Sequence, residues 1–189
     1  MKKAEFNMEK KAYTLSLLVQ DSPGVLSQVV RLFSRKGYNI ESITSGSSNE
    51  PGVTRVTIVI LADELMVGQI AAQCRKLLPV MAVKILDEAT SLKREYALIK
   101  VLTPDRHSRD EVMQMTSIFR ANIIDVSLET LTVAIFGDKD KTDAFEALLR
   151  EFGVLEIART GTIALERGRS TIYDDTKLKE EYDYGKNVL

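Results

Sequence analysis

A short turn near the N-terminus combines residue types that could bind a small charged molecule. In the stretch "VQDSPGVL", Asp21, Ser22, Pro23 and Gly24 precede a segment with helical spacing. The first N–H groups of a helix have no partners within the helix and lie at the positive end of its dipole. A glycine beside them allows a ligand to approach the backbone. The turn is therefore typical of an anion-binding site.

A single carboxylate suits this turn better than a polyphosphate. The first basic residue after the turn is Arg31, about two helical turns further on. Asp21 would repel an anion beside it but would attract an ammonium group. The residues therefore predict a zwitterionic ligand, with its carboxylate at the helix start and its ammonium near Asp21. The alternative is a tight turn that binds nothing.

The periodicity of the chain predicts the elements that position this turn. Residues 12–20 alternate as in a strand, and the next segment has helical spacing that ends at Gly37. We expect Pro23 in the first turn of that helix. A hairpin follows, then a helix over 64–78 capped by Asp63, then a closing strand. The order is βαββαβ.

The second half of the chain repeats this order. Its first helix, within "SRDEVMQMTSIFR", is predicted to begin with a capping box formed by Ser108 and Glu111. Asn39 and Asn122, which open "NIESIT" and "NIIDVS", are 83 positions apart (122 minus 39). An internal duplication explains this register. We predict an α+β protein with two tandem ferredoxin-like βαββαβ domains, each with helices on one face of an antiparallel sheet.

The predicted boundaries follow the changes in composition. They are an N-terminal extension over 1–11, a first domain over 12–88, a polar linker over 89–94, a second domain over 95–168 and a polar tail over 169–189. The tail is either disordered or a helix that binds a partner.

Asn39 is the second polar candidate for the ligand site, with an ordinary turn residue as its alternative. In a βαββαβ unit, Gly24 and Asn39 lie at opposite ends of a helix roughly 20 Å long. One small ligand cannot reach both within one domain, so a joint site needs a second copy of the chain. The helix-free sheet face and the apolar run at 58–60 also predict a homodimer or a higher oligomer.

Composition argues against several function classes. The chain has 189 residues and a formal net charge of -1, which does not favour broad electrostatic binding of nucleic acid. No apolar segment approaches the roughly 20 residues that span a bilayer, and the N-terminus lacks the apolar centre of a signal peptide. A single cysteine excludes an internal disulfide and fits a reducing compartment. We expect a cytoplasmic protein without membrane contact.

The chain offers little support for catalysis. Its one histidine, His107, lies in a polar loop, where an exposed structural role is the better interpretation. Cys74 has an apolar spacing on its helix and is predicted to be a small core residue. A metal site built on imidazole or thiolate is not expected. An enzyme remains conceivable, but no constellation of residues supports one.

The stretch "LLVQDSPGVLSQVVRLFSRKGYNIESI" resembles the N-terminal ACT domain of the regulatory (small) subunit of acetolactate synthase, also called acetohydroxyacid synthase. The run "FSRKGYNIESI" is particularly specific for that family, and "GVTRVTIVI" matches its hairpin strand. In the second half, "SRDEVMQMTSIFRANIIDVS" and "ARTGTIALERG" resemble the C-terminal, ACT-like domain. The resemblance covers roughly residues 12–168.

This resemblance implies an effector site between two ACT domains. One chain would contribute Asp21, Ser22, Pro23, Gly24, Val25 and Leu26, and the other would contribute Asn39 and Ile40. Relatives often carry asparagine where this chain has Asp21. In the second half the position aligned with Gly24 is His107, and no Pro-Gly turn is present, so an amino-acid site is not expected there. The second domain is expected to contact the catalytic subunit.

The resemblance also implies a function. A subunit of this kind has no catalytic residues, activates the catalytic subunit of acetolactate synthase, and confers feedback inhibition by valine or related branched-chain amino acids. Thiamine diphosphate, Mg and FAD would reside on the catalytic subunit, and this chain would bind no cofactor or metal.

Two alternatives belong to other classes. The first is a stand-alone amino-acid-sensing ACT module that controls another enzyme. The second is a single-strand nucleic-acid binder, because RNA-recognition motifs share this strand order. Such a binder needs exposed aromatic residues on its central strands, and the hairpin strands contain only Phe136.

Overall fold

The structure is a computed structural model that describes residues 10–175. The described chain forms two compact units, the first from residues 10–92 and 164–175, the second from 93–163. The helices and strands are β1 (Lys11–Gln20), α1 (Val25–Lys36), β2 (Ile40–Ser47), β3 (Val53–Ala62), α2 (Glu64–Cys74), β4 (Val80–Leu86), β5 (Ser91–Leu102), α3 (Arg106–Ile118), β6 (Asn122–Val126), β7 (Thr130–Gly137), α4 (Lys139–Leu149), β8 (Val154–Arg159) and β9 (Ile163–Glu166).

Both units contain the same antiparallel sheet. The strand order is β2-β3-β1-β4 in the first and β6-β7-β5-β8 in the second, and β9 pairs with β5 off that path. Neighbouring strands of each four-stranded path run antiparallel. This order is that of a ferredoxin-like βαββαβ unit. The predicted α+β class and the predicted repeat are therefore confirmed.

The core of the first unit lies between its sheet and its two helices. Val25, Val29 and Phe33 recur every four residues along α1, so they share one helix face, and all three are buried. They pack against alternate residues of β1, among them Leu15 and Leu17, which are fully buried. The second unit has an equivalent core, in which the rings of Phe119 and Phe145 lie 4.9 Å apart.

Residues from the C-terminal part of the chain cover the other face of the first sheet. Ile172 is 3% exposed and packs against Leu18, Val53 and Ala82. Polar contacts flank this small cluster. They join Lys84 to Glu166 at 2.8 Å, Lys84 to the carbonyl of Thr171 at 3.3 Å, and the Tyr173 hydroxyl to Asn49 at 2.6 Å.

This cover was not predicted from the sequence. The polar tail was expected to begin at 169, but Ile172 and Tyr173 belong to the first unit, as do residues 164–168. The remainder of the predicted tail and residues 1–9 lie outside the described residues. The predicted last strand is divided at residues 160–162, which separates β8 from β9.

Several element boundaries differ from the predicted ones for local reasons. The predicted capping box at Ser108 is wrong, because Asp105 caps α3 and accepts a 2.9 Å hydrogen bond from the Ser108 backbone N–H. The helix α2 ends at Cys74 rather than at 78. The polar linker over 89–94 is largely strand, since β5 begins at Ser91.

Within residues 10–175, none of the helices combines the length and the apolar character that crossing a membrane requires.

Replacing Ile172 by alanine is expected to lower the free energy of unfolding by about 2 kcal/mol, because it removes buried methyl groups from a small cluster. Urea denaturation followed by circular dichroism measures this change. The matched control is Leu165→Ala, since Leu165 is 55% exposed, and it should change stability by no more than about 0.5 kcal/mol. Equal effects of the two substitutions would show that the C-terminal cover does not stabilise the first unit.

Cys74 is fully buried in the first core, as predicted. Burial raises the pKa of its thiol from the ordinary 9.0 to about 11, against a smaller opposing effect of Arg75. The folded state therefore favours the neutral thiol. Its contribution to stability is complete below pH 9 and is lost as the pH rises towards about 11.

This loss can be isolated by comparing the parent with Cys74→Ala across that alkaline range. The free energy of unfolding of the parent should fall more steeply with pH than that of the variant, because the thiol titrates only in the parent. Lysines and tyrosines titrate in both proteins, so their effect cancels in the comparison. If the free energies of unfolding of the parent and the variant changed in parallel with pH, the thiol would not be shielded from water.

Candidate functional site

The turn before α1 adopts a conformation that favours glycine. Gly24 has φ 85° and ψ -9°, in the left-handed region. The backbone N–H of Asp21 donates to the Gly52 carbonyl at 2.8 Å, and that of Val25 donates to the Ser22 carbonyl at 3.3 Å. Pro23 lies in the turn rather than in the first helical turn, so its predicted placement is wrong.

The N-terminus of α1 differs from that of the other three helices in its capping. Asp63, Asp105 and Asp138 cap α2, α3 and α4, and each carboxylate accepts a backbone N–H three residues ahead, at 2.7, 2.9 and 2.9 Å. Among the described residues no side chain caps α1, and its first turn contains no acidic residue. The start of α1 therefore remains available to an external carboxylate.

The surroundings of this helix terminus are open. A Cβ added at Gly24 would have no atom within 4 Å, so the glycine is required by its positive φ and not by close packing. Residues 21–24 are exposed, whereas Val25 is buried and fixes the start of the helix to the core. Leu26 is 41% exposed and offers apolar surface beside the turn.

The second half of the predicted site lies beyond the other end of α1. Asn39 is exposed, and its side-chain amide donates to Glu41 at 3.0 Å. Ile40 is half-buried, packs against the first core and pairs with Ile60. The 12 residues of α1 span about 18 Å. One protomer therefore does not bring Gly24 and Asn39 together around a small ligand, as the topology predicted.

The corresponding terminus in the second unit is already occupied. Asp105 caps α3, and hydrogen bonds from Ser108, first that of its backbone N–H, hold the pKa of the Asp105 carboxyl below its usual value. His107 lies one residue inside the helix, exposed, with its Nε2 3.3 Å from Glu111. The Asp105 carboxylate thus occupies, at the N-terminus of α3, the position that is open to an external anion at the N-terminus of α1.

Sequence reasoning missed a group of ionic residues in the second unit. Arg159 contacts Asp143 at 2.6 Å, Glu146 at 2.7 Å and the buried Glu95 at 3.5 Å. Burial lowers the pKa of Arg159, but the hydrogen bond with Asp143 and the nearby carboxylates outweigh it and raise the pKa overall. Burial raises the pKa of Asp143, but the hydrogen bonds with Lys139 and Arg159, together with the charges of these two residues, outweigh it and lower the pKa overall.

This network has no single signal in the sequence, because β5, α4 and β8 bring its members together from positions far apart. Lys139 and Arg150 also pair with Asp143 and Glu146, so three cations balance three carboxylates. A balanced network of this kind is structural. Within the described residues, no group of three or more His, Cys, Asp or Glu side chains could hold a metal ion.

The helix-free face of the second sheet contains one more aromatic residue than the hairpin strands suggested. Tyr96 on β5 lies directly opposite Phe136 on β7, and they are 41% and 55% exposed. A nucleic-acid platform would combine such rings with free cations. Lys100, on the same face of β5, is instead 3.3 Å from Glu156. The one cation named on this face is thus paired with a carboxylate, and this does not favour the nucleic-acid alternative.

The fold and the site define a protein with two tandem ACT-type domains, the first of which has a helix N-terminus without a side-chain cap. Comparison with known families specifies this class. Residues 15–82 match the family described as an AHAS small subunit-like ACT domain, AHAS being acetohydroxyacid synthase. Residues 94–168 match the family described as the small subunit of acetolactate synthase.

Individual relatives agree with these matches. A Methanothermobacter thermautotrophicus protein named "probable acetolactate synthase small subunit" is 46% identical over 87% of this chain and 98% of its own. The acetolactate synthase small subunit of Aquifex aeolicus is 40% identical over 84% of this chain and 82% of its own. The crystal structure of the acetolactate synthase small subunit from Thermotoga maritima superposes with a TM-score of 0.79, at 40% identity, over 85% of this chain and 99% of that one.

This chain belongs to the acetolactate synthase small-subunit family.

The two exposed glycines Gly24 and Gly68 provide a direct test of the backbone at the turn. An added Cβ meets no atom within 4 Å at either position, but only Gly24 has a positive φ. Gly24→Ala should therefore lower the free energy of unfolding by about 1 kcal/mol. Gly68→Ala, within α2, should raise it by roughly 0.4–1 kcal/mol. Thermal and urea unfolding measure both changes in stability. If the two substitutions changed the free energy of unfolding in the same direction, this would contradict the left-handed conformation of Gly24.

Proposed function

We propose that this chain is the regulatory, non-catalytic subunit of acetolactate synthase. It binds and activates the catalytic subunit and makes it sensitive to a branched-chain amino acid, with valine as the leading candidate. The observation that supports this most is the N-terminus of α1, which lacks the aspartate cap of the other three helices. The naming of the relatives as small subunits of acetolactate synthase supports the choice of partner.

The proposed effector pose follows from the charges at the turn. The ligand carboxylate accepts from the backbone N–H groups at the start of α1, where the helix dipole is favourable. Its ammonium group lies near the Asp21 carboxylate. Its branched side chain contacts apolar surface, supplied by the exposed Leu26 of one protomer and the half-buried Ile40 of its partner. Ser22 and Pro23 shape the turn.

Two protomers complete the site. Gly24 and Asn39 lie beyond opposite ends of an α1 about 18 Å long, so Asn39 and Ile40 come from the second copy in a homodimer or a higher oligomer. A ligand that bridges two chains binds only the assembled form. Effector binding is therefore linked to assembly and should stabilise it.

The chemistry takes place on the partner. Thiamine diphosphate, Mg and FAD belong to the catalytic subunit in this proposal, and this chain contributes no reacting group. Its influence is allosteric, since the effector site and the surface that contacts the catalytic subunit are separate. The single thiol, Cys74, fits the reducing environment of the cytoplasm.

The alternative is an amino-acid-sensing ACT module that controls another enzyme. Purification of the chain together with acetolactate synthase catalytic chains, and activation of those chains in assay, distinguish the two functions. A protein that binds valine but neither binds nor activates the catalytic chains would support the alternative.

Gly24→Asp and Asn39→Ala are expected to remove valine sensitivity while activation of the catalytic subunit is retained. The aspartate places a carboxylate where the ligand's own carboxylate binds, and the alanine removes the partner's amide. We expect the affinity for valine to fall at least about tenfold, or 1.4 kcal/mol. Calorimetric titration with valine, leucine and isoleucine measures this, and an assay with the catalytic subunit measures inhibition.

The chain contains matched controls for both substitutions. Asn122 is exposed and lies in the same register of the second unit, so Asn122→Ala should bind valine normally. Gly168 has φ 71° and open surroundings like Gly24, so Gly168→Asp reproduces the backbone strain away from the site. If both site variants stayed as sensitive to valine as the parent, the assignment of the site would be wrong.

A further inference from the structure

A groove between α1 and the end of α2 combines positive charge with an apolar floor. Its volume is about 400 Å³. Three cations come from α1, namely Arg31, Arg35 and Lys36, and Lys76 follows α2 on the opposite side. The floor includes Leu32 and Leu77, which are half-buried and pack against the core of the first unit. The groove's lining contains no carboxylate.

These four cations have no ion-pair partner among the described residues. The helices of the second unit show the opposite arrangement. In α3, and in α4 together with the residue that follows it, cations face a carboxylate four positions away. These pairs are Arg106–Asp110, Lys139–Asp143 and Glu146–Arg150. The charge on the face formed by α1 and α2 is thus left uncompensated, although the whole chain is nearly neutral.

The local effect on α1 is unfavourable. Arg31 and Arg35 are four residues apart on one helix face, and like charges at that spacing destabilise a helix. Arg35 and Lys36 lie in the last turn, where cations complement the dipole, but Arg31 lies one turn earlier and lacks that compensation. Arg31 has no ion-pair partner among the described residues, so its charge is available for binding.

We propose that this basic groove binds an acidic segment of the acetolactate synthase catalytic subunit. The inference rests on the proposed function and adds a contact surface on the first domain to the contact that the resemblance implies for the second domain. Arg31 and Lys76 attract carboxylates from the two sides of the groove, while an apolar residue of the segment packs on Leu32 and Leu77. The surface lies on α1, the helix whose opposite end forms the effector turn.

The geometry favours a protein segment over a small phosphate compound. The cations are spread along more than one turn of α1 and across to Lys76, which suits several carboxylates spaced along a chain. The groove also lies beside the C-terminal part of α1, where the backbone presents carbonyls instead of the N–H groups that cradle phosphates.

The double variant Arg31→Gln, Lys76→Gln tests this proposal in the full-length chain. Its control is Lys10→Gln, Lys11→Gln, which removes the same charge from exposed positions at the start of β1 in the first unit. Association with the catalytic subunit is measured by calorimetry and by stopped-flow kinetics, from about 0.05 to 0.5 M salt. We expect the groove variant to bind about tenfold more weakly at low salt, chiefly through slower association, and to lose most of the salt dependence of the parent. The control should bind as the parent does.

Two further measurements separate binding from folding. The free energy of unfolding of the groove variant should equal or exceed that of the parent, because the repulsion between Arg31 and Arg35 is relieved. Its affinity for valine should be unchanged. A fall in stability that accounts for the weaker association would overturn the proposal in favour of a structural role.

The remaining outcomes also decide between explanations. Association equal to that of the parent at every salt concentration would overturn the groove while leaving the proposed function intact. If the parent itself did not bind the catalytic subunit, the proposed function would fail, and this inference with it. Binding of pyrophosphate that the groove variant abolishes, with normal binding of the catalytic subunit, would assign the groove to a small anion. A changed oligomeric state with normal partner binding would assign it to a second copy of this chain.

Discussion

Six consecutive residues of β1, Thr14–Val19, are buried. Because neighbouring side chains of a strand point to opposite faces, both faces of this central strand must be covered. The helices α1 and α2 cover one face, and on the other Leu18 meets Ile172. The first domain is therefore completed by residues that follow the second domain along the chain, and the turn before α1 and the described C-terminal residues belong to one compact unit.

Helix α1 connects the packing of that unit with its proposed functions. Its buried face, centred on Val29, holds it against the sheet, while its N-terminus lacks the carboxylate that caps the other helices. Its outer face has cations without an ion-pair partner among the described residues. Both features are locally unfavourable, and natural proteins retain such features mainly at functional sites. In our proposals, one helix thus presents a site for a small ligand at one end and a surface for a protein partner near the other.

The second unit shows how a duplicated fold diverges. It keeps the strand order and the helices, but Asp105 occupies the helix terminus and Arg159 organises a network of ion pairs around α4. Its helix-free face exposes Tyr96 and Phe136. The same topology therefore supports a helix start without a side-chain cap in one copy and a capped helix start in the other, through a difference of a few residues at the turn.

The sequence by itself determined the order of the elements, the duplication, the core position of Cys74 and the separation of Gly24 from Asn39. These follow from periodicity and chain topology, which local residue patterns encode. Only the tertiary structure decided that α1 is uncapped, that Ile172 covers the first sheet and that Glu95 meets Arg159. A cap depends on backbone dihedral angles and on a hydrogen bond between particular atoms, and the other two contacts join residues far apart in the chain. Composition and spacing do not encode such long-range geometry, since it exists only once the strands have paired and the helices have packed.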